Sequence, residues 1–363
     1  MAGLSMEELP LGALRVRGWS DGCDLCWRGA KSVLFITGEC PLYSSCFYCT
    51  IAEWRRGKDL IMVNERVVSN PSDVLDEVKL SSSLGIGITG GEPLLFPDRV
   101  SSYVKLLKEA FGKSFHVHIY TNSLLVDERN LSTLYDAGVD EIRFHTWNEG
   151  DWERIRLAVS TGFSVGAEIP SIPMEPWIKK LKKLSSFLDS IGAHFLNLNE
   201  LEFTPSNREK LLGMGMKPRA DDEVGVEGSS KAAREVLQYL ERETGIMGYF
   251  CPAAQKEYQV RMRWVRRAAS VAKEYETPTD EGTLIYGEVT GPESLLLLIM
   301  RSYGGSLING TLLMDAESFE RALKDLKRFN LSGKLVEVMP TEDRRILQVY
   351  PLDFVLRSRN KIR

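Results

Sequence analysis

The sequence predicts an α/β fold of parallel strands joined by helices, followed by a small α+β domain. Apolar strand-like runs alternate with helix-like segments from about residue 32 to residue 201, and the alternation stops beyond that point. Six β/α units in succession imply parallel strands with right-handed crossovers. With 363 residues, the chain can hold a barrel-sized unit and a smaller one. Periodicity alone does not decide between an open doubly wound sheet and a partial barrel.

The predicted strands are short apolar runs, and the first of them ends at Gly38, as expected for a strand buried on both faces. The helices are predicted from an apolar face or from a closing glycine, such as Gly138 after the third helix. The strands are predicted at residues 32–37, 86–89, 116–120, 140–144, 163–169 and 194–199, and the helices between them at 72–84, 98–111, 127–137, 151–161 and 177–191.

Four segments follow from this pattern. Residues 1–31 form an N-terminal segment with a Cys-x2-Cys pair, and residues 32–250 form the β/α unit. Residues 251–276 form a basic helical connector, and residues 277–363 form the small α+β domain, for which a ferredoxin-like fold is one expectation. In that domain we predict strands at 283–289 and 306–314, helices at 291–303 and 315–329, and a hairpin of 335–339 with 345–350.

The bulk composition is that of an ordinary globular protein. Hydrophobic residues make up 43% and charged residues 26% of the chain, and the net charge of −4 argues against indiscriminate nucleic-acid binding. No apolar run approaches the length of about 18 residues that a transmembrane helix needs, and the first residues do not have the pattern expected of a secretory signal. We therefore expect a cytoplasmic protein with no membrane partner. Six cysteines in such a protein indicate metal or redox ligands rather than disulfides.

Two motifs on successive strand ends predict the chemistry. Cys40-x5-Cys46-x2-Cys49 follows the first strand, and Gly90-Gly91-Glu92-Pro93 follows the second. Three thiolates on one loop can hold three irons of a [4Fe–4S] cluster and leave the fourth iron open to a ligand. The glycines let the main chain approach a small molecule, and Glu92 can accept a hydrogen bond from a bound ammonium group.

At these residues the chain resembles the radical S-adenosylmethionine superfamily, in which such a cysteine loop and a GGEP segment jointly hold the cluster and the methionine part of the cofactor. The common loop has three residues between its first two cysteines, whereas five separate Cys40 from Cys46. Over most of its length, the chain resembles one branch of this superfamily, a set of uncharacterised archaeal proteins related to pyruvate formate-lyase activating enzyme.

The resemblance implies a partial (β/α)6 TIM-like barrel and reductive cleavage of S-adenosylmethionine to a 5′-deoxyadenosyl radical. The radical would act on a substrate that the sequence does not identify: a small molecule, a protein or an RNA. A small electron donor of the ferredoxin or flavodoxin type is implied as a partner. The resemblance also places Tyr48 beside the adenine ring, where an aromatic side chain can stack, although a packing role is equally compatible with the sequence.

Further cofactor contacts are expected at the carboxyl ends of later strands, where parallel α/β folds collect their ligands. Asn122 follows the third strand and suits a ribose hydroxyl, although asparagine is also a turn residue. His145 ends the fourth strand, Glu168 lies in the fifth and Asn199 in the sixth. These are polar groups in apolar surroundings, and they need partners whether or not they bind a cofactor.

A zinc site is the main alternative. Cys23-x2-Cys26 and Cys46-x2-Cys49 are separated by 19 residues, as in a four-cysteine structural zinc site, and would make the chain a non-catalytic zinc-ribbon-type binding protein. This interpretation leaves Cys40 and the GGEP segment unexplained.

Three cysteines remain outside the predicted cluster loop. Cys23, Cys26 and Cys251 could form a second iron–sulfur or zinc site if the chain brings Cys251 back to the N-terminal segment. Alternatively, they are free cysteines that pack as small hydrophobic residues.

Overall fold

The computed structural model describes residues 6–359 and divides into two compact units. The first unit comprises residues 6–79 and 83–259, and the second comprises residues 80–82 and 260–359. The predicted segment 1–31 thus falls, in its described part, within the first unit, and the division lies inside the predicted connector 251–276.

The strands and helices, numbered in chain order, have the following bounds. The strands are β1 (Glu7–Glu8), β2 (Leu14–Val16), β3 (Lys31–Thr37), β4 (Met62–Val63), β5 (Arg66–Val67), β6 (Gly85–Gly90), β7 (His116–Thr121), β8 (Glu141–Phe144), β9 (Ser164–Ser171), β10 (Phe195–Glu200), β11 (Met247–Cys251), β12 (Thr277–Pro278), β13 (Leu284–Thr290), β14 (Ser306–Ile308), β15 (Thr311–Asp315), β16 (Ser332–Val338) and β17 (Ile346–Pro351). The helices are α1 (Asp21–Trp27), α2 (Ser72–Leu80), α3 (Pro97–Phe111), α4 (Glu128–Ala137), α5 (Glu153–Val159), α6 (Glu175–Ser190), α7 (Arg208–Gly213), α8 (Ser229–Glu243), α9 (Ala253–Val271), α10 (Glu293–Tyr303), α11 (Ala316–Arg328) and α12 (Leu352–Arg359).

The first unit is built on one sheet, whose strand order is β1-β2-β11-β10-β9-β8-β7-β6-β3-β4-β5. Strands β3 and β6 to β11 form a continuous parallel part of this sheet. At its two edges, β2 pairs with β11 and β4 pairs with β3, both in antiparallel orientation. Parallel strands end at the same edge, so the segments that follow β3, β6 and β7 are brought together.

All six predicted parallel strands are present, and β11 adds a seventh that the sequence analysis did not assign. β11 pairs with β10 in parallel, from Phe195 opposite Met247 to Asn199 opposite Cys251. Its sequence, MGYFC, is short and contains a glycine, which weakens any strand pattern. The β/α alternation therefore resumes through α8 and β11 after the long segment that follows β10.

Helix packing in the first unit follows the predicted apolar faces. In α3, the side chains of Val100, Val104 and Leu107 are completely buried. Helix α4 begins with the Asp127 side chain accepting from the Asn130 main-chain N–H at 2.7 Å, and it ends at Gly138, whose φ of 101° is left-handed.

Helix α1 packs against polar residues of the central strands. The main-chain N–H of Gly22 donates to the Glu141 carboxylate at 3.2 Å, and the Asn197 side-chain amide donates to the Cys23 sulfur at 3.2 Å. Ser20, just before the helix, accepts from the Arg143 guanidinium at 2.9 Å. These contacts anchor the Cys-x2-Cys segment to the inside of the first unit.

The second unit has an antiparallel sheet in the order β14-β15-β13-β16-β17, with β12 paired to β13. The single strand predicted at 306–314 is wrong, because this segment is the hairpin of β14 and β15. Asn309 and Gly310 connect the two strands with φ values of 51° and 78°, as a two-residue turn with two left-handed positions requires. The completely buried Phe319 of α11 lies at the centre of this unit's core.

Within residues 6–359, no helix combines the length and the apolar character needed to cross a membrane.

The packing of α1 can be tested at Gly22. A Cβ atom at this position would lie 2.5 Å from an Arg143 nitrogen and 2.6 Å from the His118 ring, so we expect Gly22→Ala to lower the free energy of unfolding by about 1–3 kcal/mol. Gly213, at the end of α7, is the control: nothing lies within 4 Å of its added Cβ. Gly213→Ala should be neutral or stabilise by up to about 1 kcal/mol. Urea unfolding followed by circular dichroism would measure both, and equal stability of the two variants would contradict the described packing of α1.

Candidate active site at the carboxyl ends of the strands

The loop after β3 carries the three predicted cluster ligands and is closed at its base by main-chain hydrogen bonds. Gly38 N–H donates to the Lys58 carbonyl at 2.8 Å, and Gly57 N–H donates to the Gly38 carbonyl at 2.9 Å. A Cβ atom on Gly38 would lie 1.9 Å from the Arg55 carbonyl oxygen, so this close crossing requires a glycine.

Cys40, Cys46 and Cys49 are partly buried and line one cavity of about 570 Å³, which we call the loop cavity. Burial raises the pKa of the Cys40 and Cys46 thiols above the ordinary value. Because iron is bound by thiolates, ligation at these sulfurs has to displace their protons. The donor set is the one that an iron–sulfur cluster requires: three thiols on one loop, facing one cavity.

Gly90 and Gly91 line the same cavity at the end of β6. A Cβ atom on Gly90 would lie 2.2 Å from the Thr37 carbonyl oxygen, and one on Gly91 would lie 1.8 Å from that of Glu39. The Gly91 and Glu92 N–H groups donate to these two carbonyls at 2.8 and 2.7 Å. The glycines thus allow the end of β6 to pack directly on the root of the cysteine loop while their main chain forms the cavity wall.

Glu92 has a different environment from the one expected of an acceptor for a bound ammonium. Its side chain is completely buried and does not line the loop cavity. One carboxylate oxygen accepts from the Leu94 N–H at 2.9 Å and the Thr121 hydroxyl at 3.0 Å, and the other accepts from the Asn122 N–H at 2.7 Å. Pro93 is also buried and begins a short 3-10 helix. Glu92 therefore ties the end of β6 to the end of β7.

Asn122, Tyr48 and His145 all lie on the wall of the loop cavity, as predicted for cofactor contacts. The Asn122 amide lies 3.7 Å from the Cys40 sulfur, so it borders the cluster loop. The rings of Tyr48 and His145 are 5.4 Å apart between centroids. The Nδ1–H of His145 donates to the Glu168 carbonyl at 2.8 Å, and burial lowers the pKa of His145, which favours the neutral ring.

Glu168 and Asn199 are brought together deeper in the unit. The Glu168 carboxylate accepts from Arg143 at 2.6 Å and from the Asn199 amide at 2.9 Å. Burial raises the pKa of Glu168, but Arg143 and the asparagine amides outweigh this effect, so that the net shift is downward. Asn199 reaches the loop cavity, whereas Glu168 lines only a second, deeper cavity.

This second cavity, the inner cavity, has a volume of about 390 Å³ and is lined by Cys23, Cys26 and Cys251. Burial raises the pKa of Cys23 to about 11 and also raises that of Cys251. The two cavities are contiguous, because they share the lining residues Thr50, Thr89, Tyr120, His145, Asn199 and Lys256.

The geometry does not support the four-cysteine zinc alternative. Cys23 and Cys26 precede β3 and Cys46 and Cys49 follow it, and a strand of seven residues spans about 20 Å. The two pairs also line different cavities. Between residues 6 and 359, no three His, Cys, Asp or Glu side chains are close enough for a single metal ion.

Several charged residues of the two cavities were missed by the sequence analysis. In the loop cavity, the Arg55 guanidinium lies 3.8 Å from the centre of the Phe35 ring, and Lys256 pairs with Glu202 at 2.5 Å. In the inner cavity, the residues are Lys31 and Arg143. Alternation along the strands was the available signal, because Lys31, Val33 and Phe35 all point to the cavity side of β3.

Glu92 can be tested through the pH dependence of stability. Burial raises the pKa of Glu92 to about 7 from an ordinary 4.5, despite three hydrogen bonds that lower it. A raised carboxyl pKa contributes stability below pH 4.5, and this contribution is lost as the pH rises through 7. The free energy of unfolding of the wild type, relative to Glu92→Gln, should fall by up to about 3 kcal/mol over this interval.

Urea unfolding at a series of pH values, with Glu109→Gln on the exposed face of α3 as a matched variant, would measure this difference. If the free energy of unfolding of the wild type, relative to Glu92→Gln, instead rises with pH, the folded state keeps Glu92 ionised and the assignment of a raised pKa is wrong.

Comparison with known proteins identifies the family. Residues 34–146 match the family model described as "Radical SAM superfamily". The chain is 35% identical over 355 residues to the Methanocaldococcus jannaschii protein named "Putative glycyl-radical enzyme activating enzyme MJ0021", covering 92% of each chain.

Similar solved structures include Streptococcus suis SuiB bound to its precursor peptide SuiA (TM-score 0.43, 13% identity, 61% of this chain and 48% of that chain). Another is the radical S-adenosylmethionine methyltransferase TsrM from Kitasatospora setae (TM-score 0.37, 13% identity, 74% of this chain and 57% of that chain). The chain thus spans about half the length of these solved structures.

The full-length relative and the family model confirm the predicted resemblance, and they exclude a non-catalytic zinc-binding protein. The chain is an enzyme that uses a [4Fe–4S] cluster and S-adenosylmethionine, and it belongs to the radical S-adenosylmethionine superfamily.

Proposed function

We propose that this enzyme reductively cleaves S-adenosylmethionine at a [4Fe–4S] cluster held by Cys40, Cys46 and Cys49. The observation that carries the proposal is that these three thiols and the main chain of Gly90 and Gly91 surround one cavity. When bound, the cluster and the cofactor would supply a 5′-deoxyadenosyl radical able to remove a hydrogen atom from the substrate.

The protein's own residues bind and position the two groups. Gly90 and Gly91 offer main chain to the amino acid part of the cofactor, and Asn122 offers its amide to a ribose hydroxyl. Tyr48 provides a buried aromatic face for the adenine ring. Glu92 acts indirectly, because its three hydrogen bonds hold the Asn122 main chain against the end of β6.

We propose that the first unit is a partial TIM-like barrel, extended from the predicted (β/α)6 by one strand. Seven neighbouring strands each contribute a residue to the inner cavity, which supports a sheet that curves around it. These residues are Val33, Gly87, Tyr120, Arg143, Glu168, Asn197 and Cys251.

We propose a ferredoxin-like fold for the second unit. Its chain order is β13-α10-β14-β15-α11-β16, a β-α-β-β-α-β sequence, and its strands lie in the order β14-β15-β13-β16.

The electron donor is proposed to be a small ferredoxin- or flavodoxin-like protein in the cytoplasm. The cysteines are only partly buried, and both Trp54 and Lys58 in the same loop are exposed. An exposed apolar ring and an exposed cation on one loop suit an acidic donor that has to approach the cluster closely.

For the substrate, we propose a glycine residue of a protein partner. The support is the name of the jannaschii relative, which covers 92% of this chain. Glycine has no side chain, so its main-chain α-carbon can approach a buried reacting atom closely.

Cofactor cleavage can be tested without knowledge of the substrate. The anaerobically reconstituted, dithionite-reduced protein should form 5′-deoxyadenosine from S-adenosylmethionine, and Cys46→Ala should reduce this to background because one iron loses its ligand. Ser44→Ala, at an exposed position of the same loop, is the matched control and should keep wild-type activity. Liquid chromatography with mass detection measures the product. Wild-type yields from Cys46→Ala would refute the ligand assignment.

The substrate proposal can be tested by isotope transfer. Proteins from the source cells, labelled with glycine deuterated at the α-carbon, should pass deuterium into 5′-deoxyadenosine when incubated with the reduced enzyme and S-adenosylmethionine. Proteins labelled with deuterated alanine are the control and should pass none. Deuterium arriving from a labelled small-molecule fraction, and not from glycine-labelled protein, would show that the substrate is not a protein.

A further inference from the structure

Three cysteines of the inner cavity take no part in the proposed cleavage of the cofactor. Cys23 and Cys26 lie on successive turns of α1, and Cys251 is the last residue of β11. Cys251 is far from the other two in sequence, yet all three line the inner cavity. Together with the loop cysteines they account for all six cysteines of the chain.

Two of the three sulfur atoms share one amide partner, and the third contacts a different amide. The Cys26 thiol donates to the Gln259 side-chain oxygen at 2.7 Å, and the nitrogen of the same amide lies 4.0 Å from the Cys251 sulfur. The two sulfurs therefore lie on either side of one amide group. The Cys23 sulfur contacts the Asn197 amide nitrogen at 3.2 Å, while the Asn197 oxygen is buried and has no hydrogen-bond partner.

The inner cavity also contains a cation without a direct hydrogen-bond or ion-pair partner among the described residues. Lys31 lies within electrostatic range of Cys26 and Glu168, but its ammonium makes no hydrogen bond and no ion pair within residues 6–359. The nearby Arg143, in contrast, pairs with both Glu141 and Glu168. The lining of the inner cavity has three cationic side chains, those of Lys31, Arg143 and Lys256, and one carboxylate, that of Glu168, so this cavity is suited to a group with net negative charge.

We propose that Cys23, Cys26 and Cys251 bind a second iron–sulfur cluster in the inner cavity and that Lys31 balances its charge. Three thiolates carry more negative charge than the iron–sulfur core carries positive charge, so the assembled group is an anion. This site is independent of the cluster on the loop after β3.

A cluster fits the geometry better than a single zinc ion. Zinc–sulfur bonds of about 2.3 Å require tetrahedral sulfurs only about 3.8 Å apart. In the described part of the chain, no three cysteines are that close, and this holds equally for the loop cysteines that serve the first cluster. A multi-iron cluster is larger than one ion, so its thiolate ligands stand farther apart.

The test isolates the second site by removing the first. The full-length Cys40→Ala/Cys46→Ala/Cys49→Ala variant is reconstituted anaerobically with iron and sulfide. It should retain iron and inorganic sulfide in about equal amounts, with the brown absorbance and the reduced-state paramagnetic signal of a cluster. Adding Cys23→Ser should remove all of these. A correctly folded triple variant, judged by circular dichroism, that binds no iron or binds only zinc would overturn the proposal, whether or not the wild type cleaves its cofactor.

The role of Lys31 is measured in the same triple variant. Lys31→Met removes the charge at similar side-chain length and should move the reduction potential of the second cluster to a more negative value, since reduction adds negative charge. Lys31→Arg keeps the charge and should stay near the parent value. Equal potentials for Lys31→Met and its parent would overturn the charge-balancing role, while the iron content would still report on the cysteines.

Discussion

The interior of the first unit depends on one buried guanidinium, that of Arg143. Its Nε donates to Glu141 at 2.5 Å, and its Nη1 donates to Glu168 at 2.6 Å and to the Tyr120 hydroxyl at 3.1 Å. Its Nη2 donates to Ser20 at 2.9 Å, so that one side chain connects β7, β8, β9 and the start of α1. Removing one partner from such a buried pair generally costs about 3–5 kcal/mol, because the remaining charge is left uncompensated. The positions of both cavity walls and of the Cys-x2-Cys helix therefore depend on this network.

A second, smaller network organises the loop cavity at the carboxyl ends of the strands. Gly90 and Gly91 hold the end of β6 against the root of the cysteine loop, and Glu92 fastens the end of β7 beside it. The Asn122 amide thereby reaches the neighbourhood of the Cys40 sulfur. The GGEP segment thus brings two loops from different strands into one binding surface, and its glutamate has a structural part in this arrangement.

The sequence was sufficient for those features that are encoded locally. The parallel strands are apolar runs bounded by glycines and polar residues, and the cysteine loop and the GGEP segment are recognisable from residue types at fixed spacing. The partners of Glu92 were not predictable, because Thr121 and Asn122 come from another strand and only the fold brings them near. The buried charges of Lys31 and Arg143 were missed for the same reason. The zinc-like spacing arose because one cysteine pair precedes β3 and the other follows it, so the spacing measures the length of a strand rather than a shared site.

The two proposals together restrict the route by which a substrate reaches the radical. Under these proposals the cofactor would occupy the loop cavity and a second cluster the inner cavity, and the two cavities share six lining residues. A small molecule would then have no separate internal chamber next to the cofactor. The substrate would then enter from the side of the partly buried cysteine loop, and its reacting atom would have to be narrow enough to pass the residues there. A glycine in an extended protein segment meets this requirement, because its α-carbon carries no side chain and the rest of the segment stays outside. A protein substrate that enters the loop cavity is therefore compatible with a second cluster in the inner cavity.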